Sequence, residues 1–355
     1  MARRRRGGQL DEEQGDEAAP RRSGPVRALL LVLVGLVGLA MVAGLAVVGI
    51  WWFGFRPGAT EECSVKTAAG SGTLELPQAA NAATIAAVAR SRGLPDRATA
   101  ISLATAMQES KLRNLAGGDR DSIGLFQQRP SMGWGTPAQI ADPVYATNKF
   151  LDGLVKVPGY TRMPLTDAAQ AVQKSGYPQA YAKHETKATL LTSALAGREP
   201  ASFSCVVHDY AKPDPGDSSS PTASASAAPA AQPDRAQVLS DRVRREFGRT
   251  VTPATGYTST IKGAENAVAL TPDPAAAALT SSADGGADAG ANAERTSGWE
   301  VAHWAVAQAQ QLGIATVAYD GKIWRKTKSE DGWQTQTSGT STKLVQVTLA
   351  PYDKG

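Results

Sequence analysis

The chain has 355 residues, 42% of them hydrophobic and 20% charged, with a formal net charge of +4 at pH 7. Residues before 28 hold seven arginines against five acids, half of that excess, so the remainder is nearly neutral and lacks the basic surface that nucleic-acid binding requires. Three histidines, His184, His208 and His303, are too few and too scattered for a zinc site built on three protein ligands, so no metal and no cofactor are expected.

Residues 1–27 read as an Arg-rich cytoplasmic tail, with Arg3 to Arg6, Arg21, Arg22 and Arg27. No charge interrupts Ala28 to Phe55, a run longer than the roughly 20 residues a bilayer core requires. Trp51, Trp52 and Phe53 at its end suit a membrane interface. The run is longer than a cleavable signal usually is, and it ends in bulky rings rather than a small-x-small site. A retained transmembrane signal-anchor over 28–55 is therefore expected: a cell-membrane, single-pass protein, N-terminus cytoplasmic, C-terminal domains outside. One span without polar groups builds no transport pathway. Residues 56–75 read as a polar stalk.

From 76 to 207 the pattern is helical. Pro77 can open a helix that Gly93 closes. Asp96 can cap the next, which is apolar or small almost all round through Ile101, Leu103, Ala104 and Met107 to Leu112 and so reads as a buried central helix. Tyr145–Leu154, Asp167–Gln173 and Tyr181–Leu195 continue the pattern, and strand-like alternation is scarce. Cys63 and Cys205 bracket this segment, and an even cysteine count outside the cytoplasm suggests a disulfide.

The chemistry concentrates near the end of the central helix. Glu109 is its one carboxylate there, flanked in sequence by Ala106, Met107 and Leu112, and apolar surroundings favour the protonated form of a carboxyl. Glu109-Ser110, followed after a polar loop by Gly124-Leu125-Phe126-Gln127, resembles the lytic transglycosylase branch of the lysozyme-like superfamily. The longer string, through Asp119-Arg120-Asp121-Ser122 to Pro130, Trp134 and Gly135, is similar to lysozyme-like domains of an exported actinobacterial type. That resemblance covers about Leu76 to Leu195 and implies a mainly α lysozyme-like domain. It makes Glu109 the general acid and then base, with Ser110 orienting it and Gly124, Phe126 and Gln127 lining a sugar cleft. Phe126 replaces the family's usual Met. The third motif, normally Tyr-Asn-Ala-Gly, has Val172-Gln173-Lys174-Ser175-Gly176-Tyr177 as its nearest match, so Gln173 stands for the Asn, and Tyr177 or Tyr181 for the Tyr. Trp134 either stacks on a sugar or plugs the core. Asp119 and Asp121 are the nearby candidates for the second carboxylate that a hydrolase uses; a transglycosylase needs none.

Residues 208–236 are Pro, Ala, Ser and Asp, the composition of a disordered linker. The segment 237–355 reads as a small α+β domain with a disordered insertion at 271–296. It holds a helix over Ala236–Phe247, another over Trp299–Leu312, a hairpin about Asp320-Gly321 and a last strand over Leu344–Leu349. Trp299 to Trp324 resembles part of a zinc-peptidase-like module, but Leu344-Val345-Gln346-Val347 lacks the metal-binding histidines of that module's closing strand. These readings lead to a membrane-anchored peptidoglycan-cleaving enzyme acting on MurNAc–GlcNAc bonds. Its expected partners are glycan strands and, through one helix, the membrane; the sequence names no protein partner. The alternative is a non-catalytic peptidoglycan-binding or cell-wall scaffold protein.

Overall fold

The computed structural model describes residues 24–53, 59–211, 234–259, 261, 267–273, 275 and 289–351. The chain divides into two units, Met1–Gly58 and Ala59–Gly355. In the first, the apolar run forms one helix, α1 (Pro25–Phe53). Among the described residues no helix is long and apolar enough to cross a membrane. The expected transmembrane signal-anchor over 28–55 and the single-pass localisation are therefore corrected. Residues 1–23 of the expected Arg-rich tail, 54–58, most of the linker (212–233) and much of the insertion (276–288) lie outside the described residues.

The expected fold class is corrected as well, because two antiparallel sheets accompany the helices. The supposed stalk is mostly a hairpin of β1 (Cys63–Thr67) and β2 (Gly70–Leu74). Its Ser, Gly and Ala content blunts the apolar alternation by which strands are recognised. β3 (Phe203–Cys205) pairs with the other edge of β1, placing Cys63 opposite Cys205. Those two cysteines are disulfide-bonded and almost fully buried, so the expected bridge is present. It closes a loop with a sequence separation of 142; in the chain-entropy model that contributes about 4–5 kcal/mol.

Between hairpin and β3 run the helices that hold the site. α2 (Leu76–Ser91) begins with Pro77 in its first turn and a capping box between Glu75 and Gln78. α3 (Asp96–Ser110) is buried from Ala98 to Met107, as its apolar sequence requires. After the short α4 (Pro137–Ile140), α5 (Pro143–Leu154) is capped by Asp142, and α6 (Leu165–Gln173) and α7 (Glu185–Leu195) follow. The turn Pro178–His184 is a 3-10 helix.

The C-terminal half begins with α8 (Arg235–Phe247), β4 (Val251–Tyr257) and β5 (Ala267–Pro272). Then comes α9 (Ala289–Ala307), which starts well before the expected Trp299, and a short α10 (Ala309–Leu312). β6 (Ile314–Tyr319) and β7 (Lys322–Arg325) form the hairpin about Asp320-Gly321, where both residues have positive φ, as a tight hairpin turn requires. β8 (Gln334–Thr335) and β9 (Val345–Leu349) complete a six-stranded sheet of order β4-β5-β9-β6-β7-β8.

One hydrophobic cluster runs from Cys63 through the helices to Val347, so the two halves of Ala59–Gly355 share a core. α9 lies against α2, α7 and β3 on one hand and β5, β6 and β9 on the other. The outer edge of β3 would otherwise offer unpaired backbone groups. Indoles satisfy it: Trp333 Nε1 donates to the Phe203 carbonyl at 2.7 Å and Trp324 Nε1 to that of Cys205 at 3.0 Å.

Candidate active site

Glu109 occupies the last turn of α3, half-buried, beside the buried residues Ala106, Met107 and Leu112. The helix stops because Lys111 and Leu112 both adopt positive φ, 56° and 61°, an uncommon conformation for side-chain-bearing residues. α2 holds that bend in place. Gln78 Nε2 donates to the Lys111 carbonyl and Asn81 Nδ2 to that of Leu112, each at 2.8 Å.

The Tyr181 hydroxyl donates to Glu109 Oε1 at 2.7 Å. Its ring is fully buried, and burial, then the hydrogen bond to Glu109 and its charge, push the phenol well above its ordinary range. Tyr181 thus stays a proton-bearing donor throughout ordinary pH. Of the two candidate tyrosines the 3-10 turn selects this one, since Tyr177 is 78% exposed. Gln108, next to Glu109, meets the His184 ring at 3.2 Å; burial, then Lys183 and Lys187, lower the pKa of His184.

Facing the helix end is the Gly124–Gln127 turn, closed by a bridge between Ile123 and Gln128. Only glycine fits at 124, where φ is 79° and a Cβ would lie 2.6 Å from the Ile140 carbonyl. Two side chains clamp adjacent carbonyls of this turn. Ser110 Oγ, itself buried, lies 2.7 Å from the Leu125 oxygen, and Gln173 Nε2 donates to that of Phe126 at 2.8 Å. Ser110 and Gln173 therefore position the turn from behind. Phe126 is fully buried and stacks on Phe150 with ring centroids 4.8 Å apart, so its side chain is core. Gln127 bonds back to the Gly124 carbonyl at 3.1 Å. Trp134 is half-buried against the core, and its carbonyl accepts from the Tyr145 hydroxyl at 3.2 Å.

The two aspartates differ. Asp119 is exposed on the loop. Asp121 accepts from Arg129 Nε at 2.7 Å and from the Ser131 backbone at 2.8 Å and hydroxyl at 3.0 Å. Arg129 first and then Ser131 hold its carboxyl far below the usual range. Such an acid braces a loop; it has little capacity left to receive a proton.

Three further ionisable groups, none foreseen from the sequence as a set, lie buried on α8 and α9, two of them against α2 and the third against α7 and β3. Glu246 on α8 is fully buried and accepts from Thr84 Oγ1 at 3.0 Å, Trp304 Nε1 at 2.7 Å and Arg242 at 3.3 Å. Burial pushes its carboxyl up, against the pull of Arg242, Trp304 and Thr84. Glu300 on α9 pairs with Arg90 on α2 at 3.5 Å, and burial pushes it up to about 7 despite that pairing. His303, buried among Phe203, Trp299 and Trp333, meets the Ala194 carbonyl through Nδ1 at 2.7 Å. Burial lowers it to about 4. Among the described residues no group of His, Cys, Asp or Glu is placed to hold a metal ion.

Residues 232–344 match the family model described as VldE, C-terminal domain. The match takes in α8 through β8 and stops before β9, the strand between β5 and β6. No curated protein matches the chain.

Proposed function

We propose that Ala59–Gly355 cleaves the glycan of peptidoglycan at MurNAc–GlcNAc bonds by the lytic transglycosylase route, with Glu109 as the single acid–base group. The observation that carries this reading is the Tyr181–Glu109 hydrogen bond at a helix end held against the Gly124–Gln127 turn. A buried phenol fixes one carboxyl oxygen, and the carboxyl is half-exposed. In the proposed cycle Glu109 gives its proton to the glycosidic oxygen as the C1–O bond breaks. The substrate's N-acetyl group supports the cationic centre. The carboxylate then takes the proton of the sugar's own 6-hydroxyl as that oxygen attacks C1, closing an anhydro ring and restoring the acid.

A hydrolytic route would need a second carboxylate. Asp121 is committed to Arg129 and Ser131 and Asp119 is solvent-exposed on a loop, which favours the one-carboxylate chemistry. The test is incubation of purified peptidoglycan with the chain and with Glu109→Gln, followed by chromatography of the soluble products. Release by the former alone is expected. Equal release by both, or none by either, removes the enzymatic reading and leaves wall binding through the same cleft.

A further inference from the structure

Away from Glu109, a cavity of about 220 Å³ opens between the outer face of the β1–β3 pair and the segment 329–333. At about 30 Å³ per water, it has room for roughly seven waters, or one molecule the size of a dipeptide. Its floor is unusual for a protein surface. Ser202 is 5% exposed, and its hydroxyl, like that of Ser204 two residues on, is buried without a hydrogen-bond partner among the described residues. Buried polar groups normally find one. Alternation along a strand sends both hydroxyls to the face opposite Phe203 and Cys205, and both residues line the cavity.

The charges at the rim are of both signs. Lys66, on β1 beside this face, is exposed and has no partner for its ammonium among the described residues. Across the cavity Glu330 is engaged by the Ala59 N–H at 3.3 Å and by His208 at 3.6 Å. Asp331 is exposed, and among the described residues its side chain has only a long contact from Gln334 at 3.4 Å. Of the remaining lining, Ser329 is satisfied by the Val207 backbone. That leaves Lys66 and the two serines on the strand side of the cavity and Asp331 on the 329–333 side.

We propose that this cavity binds a small zwitterion, an amino acid or the end of a short peptide. Lys66 and the Ser202 and Ser204 hydroxyls take its carboxylate, and Asp331 takes its ammonium. A neutral sugar of the same size would leave both rim charges without a complement. The site uses no residue of the Glu109 cleft and stands whether or not that cleft is catalytic.

Titration of the full chain with glycylglycine, followed by saturation-transfer NMR, tests it against N-acetylglycylglycine and glycylglycine amide. Saturable binding is expected, weakened at least about tenfold by either blocking group, as for loss of one charge-assisted contact. Lys66→Gln and Asp331→Asn alter exposed side chains and leave the fold intact. The first should erase the difference between acid and amide, the second that between amine and acetamide. Absence of saturable binding overturns the proposal, as do equal affinities for blocked and free forms, or unchanged selectivity in both variants.

Discussion

Glu109 and Glu246 are both helix-borne carboxylates in one compact unit, and their surroundings could hardly differ more. Glu109 ends its helix half-open, with one buried phenol as its side-chain donor among the described residues. Glu246 is sealed, with a hydroxyl, an indole and a guanidinium converging on it from α2, α9 and its own helix. The open one has capacity left for a substrate proton. The sealed one has its acceptor sites used, and it ties the C-terminal half to α2. Donor count and exposure, more than residue type, separate a chemical carboxylate from a structural one.

The comparison can be broken by mutation. The largest effect on folding is expected for Glu246→Ala, which leaves Arg242 and two buried donors without their acceptor. A loss of about 3–5 kcal/mol by urea denaturation follows, whereas Glu109→Gln should shift stability by less than about 0.5 kcal/mol. Comparable losses for the two would dissolve the distinction.

Next in size is Tyr181→Phe. It removes one hydrogen bond to a carboxylate, worth about 1.5–3 kcal/mol, and should slow peptidoglycan release by roughly tenfold to a hundredfold. An unchanged rate would show that the phenol is packing alone.

Two groups of the seam set opposite pH dependences. Folding raises Glu300 from 4.5 to about 7, so its contribution is complete below about 4.5 and is lost as pH rises through about 7. His303 is lowered from 6.5 to about 4, so its contribution is complete above 6.5 and is lost as pH falls through about 4. Glu300→Gln should abolish the alkaline decline, a change on the order of 2 kcal/mol in unfolding free energy between pH 5 and 8. Persistence of that decline would mean that another group causes it. The smallest effect is expected at Asp121→Asn, whose release rate should stay within about threefold of the parent, since most surface substitutions away from the chemistry act weakly. A large loss there would restore Asp121 as a second catalytic carboxylate.

How much of this could be read from the residues differs by region. Helices α2, α3 and α5 to α7 followed from apolar spacing, and the cluster of Glu109, Ser110, Gln173 and Tyr181 was drawn from motif order; the four-residue α4 was not foreseen. Motif order says nothing of direction, however. Ser110 and Gln173 grip the turn's carbonyls and Phe126 faces Phe150, so residues expected against a sugar hold the loop from inside. Tyr177 and Tyr181 were equivalent until the 3-10 turn buried one of them. β1 to β3 escaped because short strands of Ser, Gly and Thr show little alternation. The Glu246 and Glu300 seam joins residues far apart in sequence, and no local pattern announces such a pairing. The two cysteines were legible by number alone.

The central claim is that one carboxylate, Glu109, does the chemistry. Mass spectrometry of the sugar ends released from peptidoglycan tests it most directly. The account predicts anhydro-ended fragments from the parent chain and none from Glu109→Gln at unchanged melting temperature. Reducing ends from the parent, or anhydro ends from the variant, would contradict it.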